Sequence, residues 1–258
     1  MSDQPVKVGV VGIGALGQHH VRVYSELPGT ELVGIYDVDR ARAEKLARKH
    51  RCGVFDSIEA LAAEVSAASV VVPTDLHREV AGYLLEQGVH LLVEKPIAAS
   101  TSEAEELVAL AEQHKCILQI GHIERFNPAF TYLESVADAP RFIEAHRLAS
   151  YPPPRKGLHP RGTEVSVVLD LMIHDLEVIL HLVRSPVKDV RAVGVPVLSP
   201  SEDIANVRLL FENGCVANIT ASRISLEPMR RPSPWLAIRS RISRPTASAL
   251  ADGSCPRC

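Results

Sequence analysis

The chain lacks the features that would direct it to a membrane, to an oxidising compartment or to nucleic acid. None of its apolar runs approaches the roughly 18 uninterrupted residues that a spanning helix requires. Its start, MSDQPVKVGVVG, has no basic-then-apolar layout of a secretory signal. There is no positive excess: 28 Lys and Arg against 31 Asp and Glu leave a formal net charge of -3. Electrostatics therefore offers no reason to expect nucleic acid or an acidic membrane surface as partner. Cysteine is scarce, and Cys52, Cys116, Cys215, Cys255 and Cys258 are odd in number and widely spread. That spread suits reduced thiols better than a disulfide framework. The expectation is a cytoplasmic protein whose partner is a small molecule.

What is present is a globular composition, 46% hydrophobic and 23% charged over 258 residues, enough for one large or two ordinary domains. Apolar strand-like runs at 7–12, 31–37, 68–73, 90–96 and 116–121 alternate with helix-like segments at 15–27, 39–50, 57–64, 76–87 and 102–114. Such alternation implies a parallel sheet covered on both faces, and strands rich in Val, Ile and Leu throughout agree with it. The expectation is an α/β doubly wound domain over residues 1–122.

After Gly121 the pattern changes. Asn127-Pro128 predicts a helix start, with Asn as cap and Pro in the first turn. Strands are predicted at 142–149, 187–195, 204–212 and 215–223, with a long apolar helix before the last three and a tight turn at Asn213-Gly214. This order suggests an α+β domain with a largely antiparallel open sheet over 123–227. From Pro228 the composition shifts abruptly to Arg, Pro, Ser, Ala and Cys without a sustained period. Residues 228–258 are expected to be a tail without a packed core, natural or out of frame, following a strand with nothing left to pair against it. The second domain is then expected to be incomplete, with reduced stability or activity.

Three segments carry chemistry. Gly12-Ile13-Gly14-Ala15-Leu16-Gly17 follows the first strand and opens a helix. Glycines there permit a tight turn and close approach to a pyrophosphate, which the helix N-terminus meets with free N–H groups. Asp37 ends the second strand 20 residues after Gly17, where a carboxylate would bind the adenosine ribose and repel a 2′-phosphate. NAD is expected over NADP, with Arg40 and Arg42 as opposing charges nearby; the bland alternative is a structural glycine turn. Thr74 and His77, after the next strand, could touch the cofactor or simply form a turn and cap. The strand Leu91-Leu92-Val93 ends in Glu94-Lys95-Pro96. Lys95 could stabilise a developing alkoxide with Glu94 orienting it, and a surface ion pair is the alternative.

In the second domain, VLDLMIHDL (168–176) places ionisable groups in an apolar helix. At about 100° per residue, Ser166, Asp170, His174, Glu177 and His181 form one stripe. That stripe could be a satisfied core network, half a metal site or a ligand-facing wall. Asp175 points away from it and reads as structural.

Together these segments resemble the glucose–fructose oxidoreductase/inositol dehydrogenase (Gfo/Idh/MocA) family. The matches are the loop at 12–17, Asp37, Pro73-Thr74 with His77, Glu94-Lys95-Pro96, and Asp170 with His174, within about residues 5–227. The resemblance implies an NAD- or NADP-dependent oxidoreductase of sugar or cyclitol hydroxyls. It implies Lys95 and His174 as catalytic, Asp170 beside them, and homo-oligomers built on the open sheet. VEKPIA, GHIERFNPA (121–129) and VVLDLMIHD (167–175) look like the branch that oxidises C3 of UDP-linked N-acetylhexosamines. Arg125, Asn127, Arg155 and Arg161 are candidate diphosphate or sugar contacts, or ordinary solvated loop residues. The rival expectations are a catalytically impaired NAD(H)-binding protein, a dehydrogenase of inositol or a free sugar, and a metal enzyme lacking a second ligand cluster.

Overall fold

The strand–helix alternation of the first half assembles as one parallel sheet. The computed structural model describes residues 4–137, 139–154, 162–163, 165–225 and 237–239. The chain divides into two units between His122 and Ile123. In the first, strands β1 (Val6–Val11), β2 (Thr30–Tyr36), β3 (Gly53–Val54), β4 (Ala67–Val70), β5 (His90–Val93) and β6 (Leu118–Ile120) line up in the order β3-β2-β1-β4-β5-β6. Every pairing among them is parallel. Helices α1 (Gly17–Glu26), α2 (Arg40–His50), α3 (Ile58–Ala62), α4 (His77–Glu86) and α5 (Thr101–Gln113) make the crossovers.

Neighbouring strand residues point to opposite faces, and both faces are buried. Val11, Val70, Leu91 and Val93 join one apolar cluster, while Val10 and Ile35 join another with Val21, Ala43 and Ala47. Each of the Val, Leu and Ile side chains contributes about 1.5–3 kcal/mol on burial. Strand order reverses between β1 and β4, and in open sheets of this kind ligands bind beyond the carboxyl ends of the strands at that reversal.

The second unit holds α6 (Pro128–Val136), β7 (Phe142–Leu148), a π-helical turn (Val168–Met172) that runs into α7 (Ile173–Val183), then β8 (Val187–Val195), β9 (Ile204–Phe211), β10 (Val216–Ser222) and β11 (Ala237–Arg239). Their sheet order is β11-β7-β10-β9-β8, antiparallel except for the parallel β7–β10 pair. The helix face carrying Met172, Ile179 and Val183 packs on Ile143, Ala145, Leu209, Ala217 and Ile219. The other face of the sheet is polar: Arg208 donates to Asn218 at 3.3 Å and Asn206 to Thr220 at 2.9 Å. All nine residues of β8 are exposed.

The expectation that the strand before the tail has nothing to pair with does not hold, because β10 lies inside the sheet between β7 and β9. The open edge is that of β7, and Ala237–Arg239 of the tail pair with it in antiparallel register. Backbone N–H and C=O groups suffice for that pairing, so no periodic side-chain pattern announces it. A two-residue strand, β3, was also invisible to the sequence, being too short to show alternation.

Candidate functional site

The glycine loop connects β1 to α1. Gly12 sits at φ +85, and a Cβ on it would lie 2.5 Å from the Val71 carbonyl oxygen; one on Gly17 would overlap the Gly12 carbonyl. Those two glycines are required by the protein itself. Gly14 is different, since a Cβ there would meet nothing within 4 Å. Its bare backbone suits the approach of a pyrophosphate, which is the fit that a dinucleotide asks of this loop. Ala15 and Leu16 are exposed beside it, and no acidic residue stands in the first turn of α1 to repel an anion.

Asp37, immediately after β2, accepts the Ile13 N–H at 2.7 Å through Oδ2, and the Asp39 N–H at 2.8 Å and Arg42 at 2.9 Å through Oδ1. It thus ties the glycine loop to the end of β2. Burial alone would push its carboxyl up; the two N–H groups and the Arg42 guanidinium outweigh that and hold it below the ordinary carboxylate range. The acid therefore stays ionised at neutral pH.

Thr74 starts a short 3-10 turn and is buried. His77, 1% exposed, lies with Nδ1 2.9 Å from the Pro96 carbonyl and Nε2 3.0 Å from the Val72 carbonyl. Each ring nitrogen thus lies within hydrogen-bond distance of a carbonyl oxygen on a strand-end loop, the one that carries the proton donating to its carbonyl. Glu94 and Lys95 follow β5 directly. Glu94 lies 3.0 Å from His20 Nε2 and accepts the Lys95 N–H at 3.2 Å. Its burial alone would raise its pKa; His20 and Lys95 outweigh this and lower it. Glycine loop, Asp37 and Glu94-Lys95 lie at the carboxyl ends of β1, β2 and β5 of one parallel sheet.

In the second unit, Asp170 lies within the π-helical turn and His174 in the first turn of α7; both are half-buried. The π winding corrects the even 100° wheel, because Asp170 and His174 are separated across a change of pitch. Ser166 receives the Leu169 N–H at 3.5 Å and heads the turn. The far end of the stripe is occupied structurally. Glu177 takes the Arg125 Nε, and His181 lies 2.8 Å from Glu134 and edge-on to Phe130 at 5.6 Å. Asp175 is gripped by both arms of Arg147 at 2.9 Å.

Arg125 stands on a 3-10 turn, Ile123–Phe126, and its side chain is half exposed despite the Glu177 bond. Asn127 caps α6: its Oδ1 accepts the Ala129 N–H at 3.0 Å and its Nδ2 donates to Glu124 at 3.3 Å. Arg155 and Arg161 lie outside the described residues. Sequence reasoning missed His20, which sits one helical turn beyond Gly17, and the buried pair Asp203–Arg223, since neither shows a local pattern. Among the described residues no three His, Cys, Asp or Glu side chains gather as a metal ion needs, nor is any helix long and apolar enough to cross a membrane.

The family description "oxidoreductase family, NAD-binding Rossmann fold" of the Gfo/Idh/MocA group matches residues 6–122, and the C-terminal domain description of the same group matches 138–239. UDP-N-acetylglucosamine 3-dehydrogenase of Acidithiobacillus ferrooxidans is 41% identical over 227 residues, 88% of this chain and 70% of that one. Its solved structure superimposes with a TM-score of 0.81 at 40% identity, covering 90% of this chain and 73% of the other. Myo-inositol dehydrogenase Hyg17 of Streptomyces leeuwenhoekii is 35% identical over 200 residues, 75% of this chain and 60% of its own.

Proposed function

The chain belongs to the Gfo/Idh/MocA oxidoreductase family, and from that premise we propose that it is an NAD-linked dehydrogenase of a UDP-N-acetylhexosamine, acting at a ring secondary alcohol. The observation that carries the reading is the alignment of the glycine loop, Asp37 and Glu94-Lys95 along the carboxyl edge of one parallel sheet. The glycine loop and the N-terminus of α1 hold the pyrophosphate, and ionised Asp37 binds the ribose diol and disfavours NADP. The bound nicotinamide supplies the acceptor for hydride. Lys95 polarises the reacting oxygen, His174 takes the hydroxyl proton, and Asp170 orients the imidazole. Arg125, Asn127 and Arg161 are assigned to the sugar diphosphate, Arg125 foremost because its guanidinium is half exposed. The 41% identity to a UDP-N-acetylglucosamine 3-dehydrogenase supports this substrate class; the inositol dehydrogenase at 35% identity supports a cyclitol as second reading.

A spectrophotometric screen of NAD+ reduction across UDP-sugars, inositols and free hexoses decides between them. Turnover of UDP-N-acetylglucosamine with inositols inert is the expected result, and the reverse pattern refutes the substrate class. Lys95→Ala and His174→Ala should each lower kcat by roughly 100-fold or more, the span of one general acid or base. The limb of the pH–rate profile that each variant abolishes assigns its role. An oligomer formed through the second-unit sheet completes the proposal.

A further inference from the structure

His20 lies on α1 with a side chain 16% exposed, and it bridges two strand ends. Its Nδ1 is 3.0 Å from Ser69 Oγ on β4, and its Nε2 is 3.0 Å from Glu94 Oε1 after β5. Tyr24, one turn further along α1, reaches the same Ser69 oxygen at 2.8 Å. With Glu94 ionised and His20 neutral, the donors follow along the whole chain. Ionised Glu94 only accepts, so Nε2 carries the proton that faces it. In the neutral tautomer Nδ1 then accepts from the Ser69 hydroxyl, whose oxygen accepts from the Tyr24 phenol. Each hydrogen has one acceptor, and the direction runs from Tyr24 through Ser69 and His20 to Glu94.

Glu94 is equally constrained on its other side. Its Oε2 accepts the Lys95 N–H at 3.2 Å, and a Cβ on Gly121, after β6, would stand 3.1 Å from its carboxyl atoms. The charged or titratable groups that lower the Glu94 pKa are His20 from α1 and Lys95 from its own strand end, and Gly121, just after β6, faces its carboxylate without a side chain.

The geometry points to His20 as a positioning residue for Lys95: by holding the Glu94 carboxylate it couples the helix that opens at the glycine loop to the lysine assigned to the reacting oxygen. The inference rests on the dehydrogenase reading above. Substitutions by the two amides divide the bridge. The amide nitrogen of Gln reaches about as far as Nε2 and can still donate to Glu94, whereas that of Asn reaches only as far as Nδ1 and serves Ser69.

The test compares His20→Asn with His20→Gln in two measurements. Carboxyl titration of Glu94 by carbon-13 NMR in the cofactor-free protein is expected to move upward by about one pH unit in His20→Asn, the scale of one lost partner, and to stay in place in His20→Gln. Steady-state kinetics on the substrate found by the screen should show kcat about tenfold lower in His20→Asn, within what a misplaced group costs. The acid limb should be shifted upward with it, KM for NAD should stay within about twofold, and all of this should be restored in His20→Gln. An unshifted Glu94 in His20→Asn, or a pH-independent loss equal in both variants, overturns the inference. If His20→Asn does not melt cooperatively, Ser69→Ala replaces it, with a smaller upward shift of Glu94 expected and no shift refuting. A wild-type chain that turns over none of the screened alcohols refutes the dehydrogenase reading, while the Glu94 titration still judges the bridge.

Discussion

Asp37 does two jobs with one carboxylate. It holds the Ile13 N–H of the glycine loop and pairs with Arg42, and its lowered pKa keeps it charged through the neutral range. Replacing it with serine releases Arg42 and, under the proposed NAD preference, removes the charge that repels a 2′-phosphate. Asp37→Ser should weaken NAD binding roughly tenfold or more, the worth of one charge-assisted hydrogen bond, and improve NADP relative to NAD. Titrating both cofactors by nucleotide fluorescence checks it, and an unchanged ratio would reject Asp37 as the ribose ligand. At this scale the sequence was highly legible where a backbone need dictates residue type. Gly12, Gly17 and Asp37 are spaced as the chemistry demands. It was opaque at His20, whose partner Glu94 is 74 residues away.

At the scale of elements, the turn that carries Asp170 depends on its neighbours. Gly162 takes φ +81, and a Cβ on it would overlap the Asp170 carboxylate. Its carbonyl accepts from Arg223 at 2.6 Å, and the Val167 N–H donates to the Glu202 carbonyl at 2.8 Å. The π-helical turn is thus approached from a backbone held on both sides. Gly162→Ala should cost about 1 kcal/mol from the left-handed backbone alone, and it should lower kcat disproportionately by pushing Asp170 aside. Thermal melting together with kcat measures the two effects; a kcat unaffected by the substitution would argue that Asp170 is not needed in its present place. The apolar pattern of 167–183 announced a helix, but not its change of pitch. Periodicity reports which face is buried, and one π turn leaves that average almost unchanged.

At the scale of the whole molecule, two features of the second unit set its stability and association. Arg223 and Asp203, 2% and 0% exposed, are joined at 2.7 Å. Arg223 also donates to the Val165 carbonyl and to Ser199 and Ser201. Burial opposes the Asp203 charge, but Arg223 and the N–H groups of Leu198 and Ser199 outweigh it and depress its pKa strongly. A depressed folded-state pKa means that this stability is present above the unfolded carboxylate value, near 4, and is lost as pH falls below it. Asp203→Asn, which leaves Arg223 buried without its counter-charge, should cost about 3–5 kcal/mol at neutral pH by urea denaturation. The deficit should shrink in acid, and a pH-independent deficit would contradict the ion-pair account. Along the sheet edge, Val190 and Val193 of β8 are 56% and 67% exposed among Lys188, Asp189 and Arg191, on an edge strand whose outer backbone groups are open to pairing. Sedimentation should show an oligomer that Val190→Lys with Val193→Lys dissociates; a wild-type monomer would refute association through this edge.

The sequence by itself determined the parallel α/β first unit, the glycine loop with its acid, the Asn127 cap and the Asn213-Gly214 hairpin, because each follows from local periodicity or backbone need. Only the tertiary structure decided that β10 is an inner strand, that Ala237–Arg239 complete an edge, that His77 lies between the Pro96 and Val72 carbonyls, and that His20 meets Glu94 while Arg223 meets Asp203. Those outcomes depend on which distant polar groups are buried side by side, and a buried donor takes whichever acceptor the fold brings to it, however far along the chain.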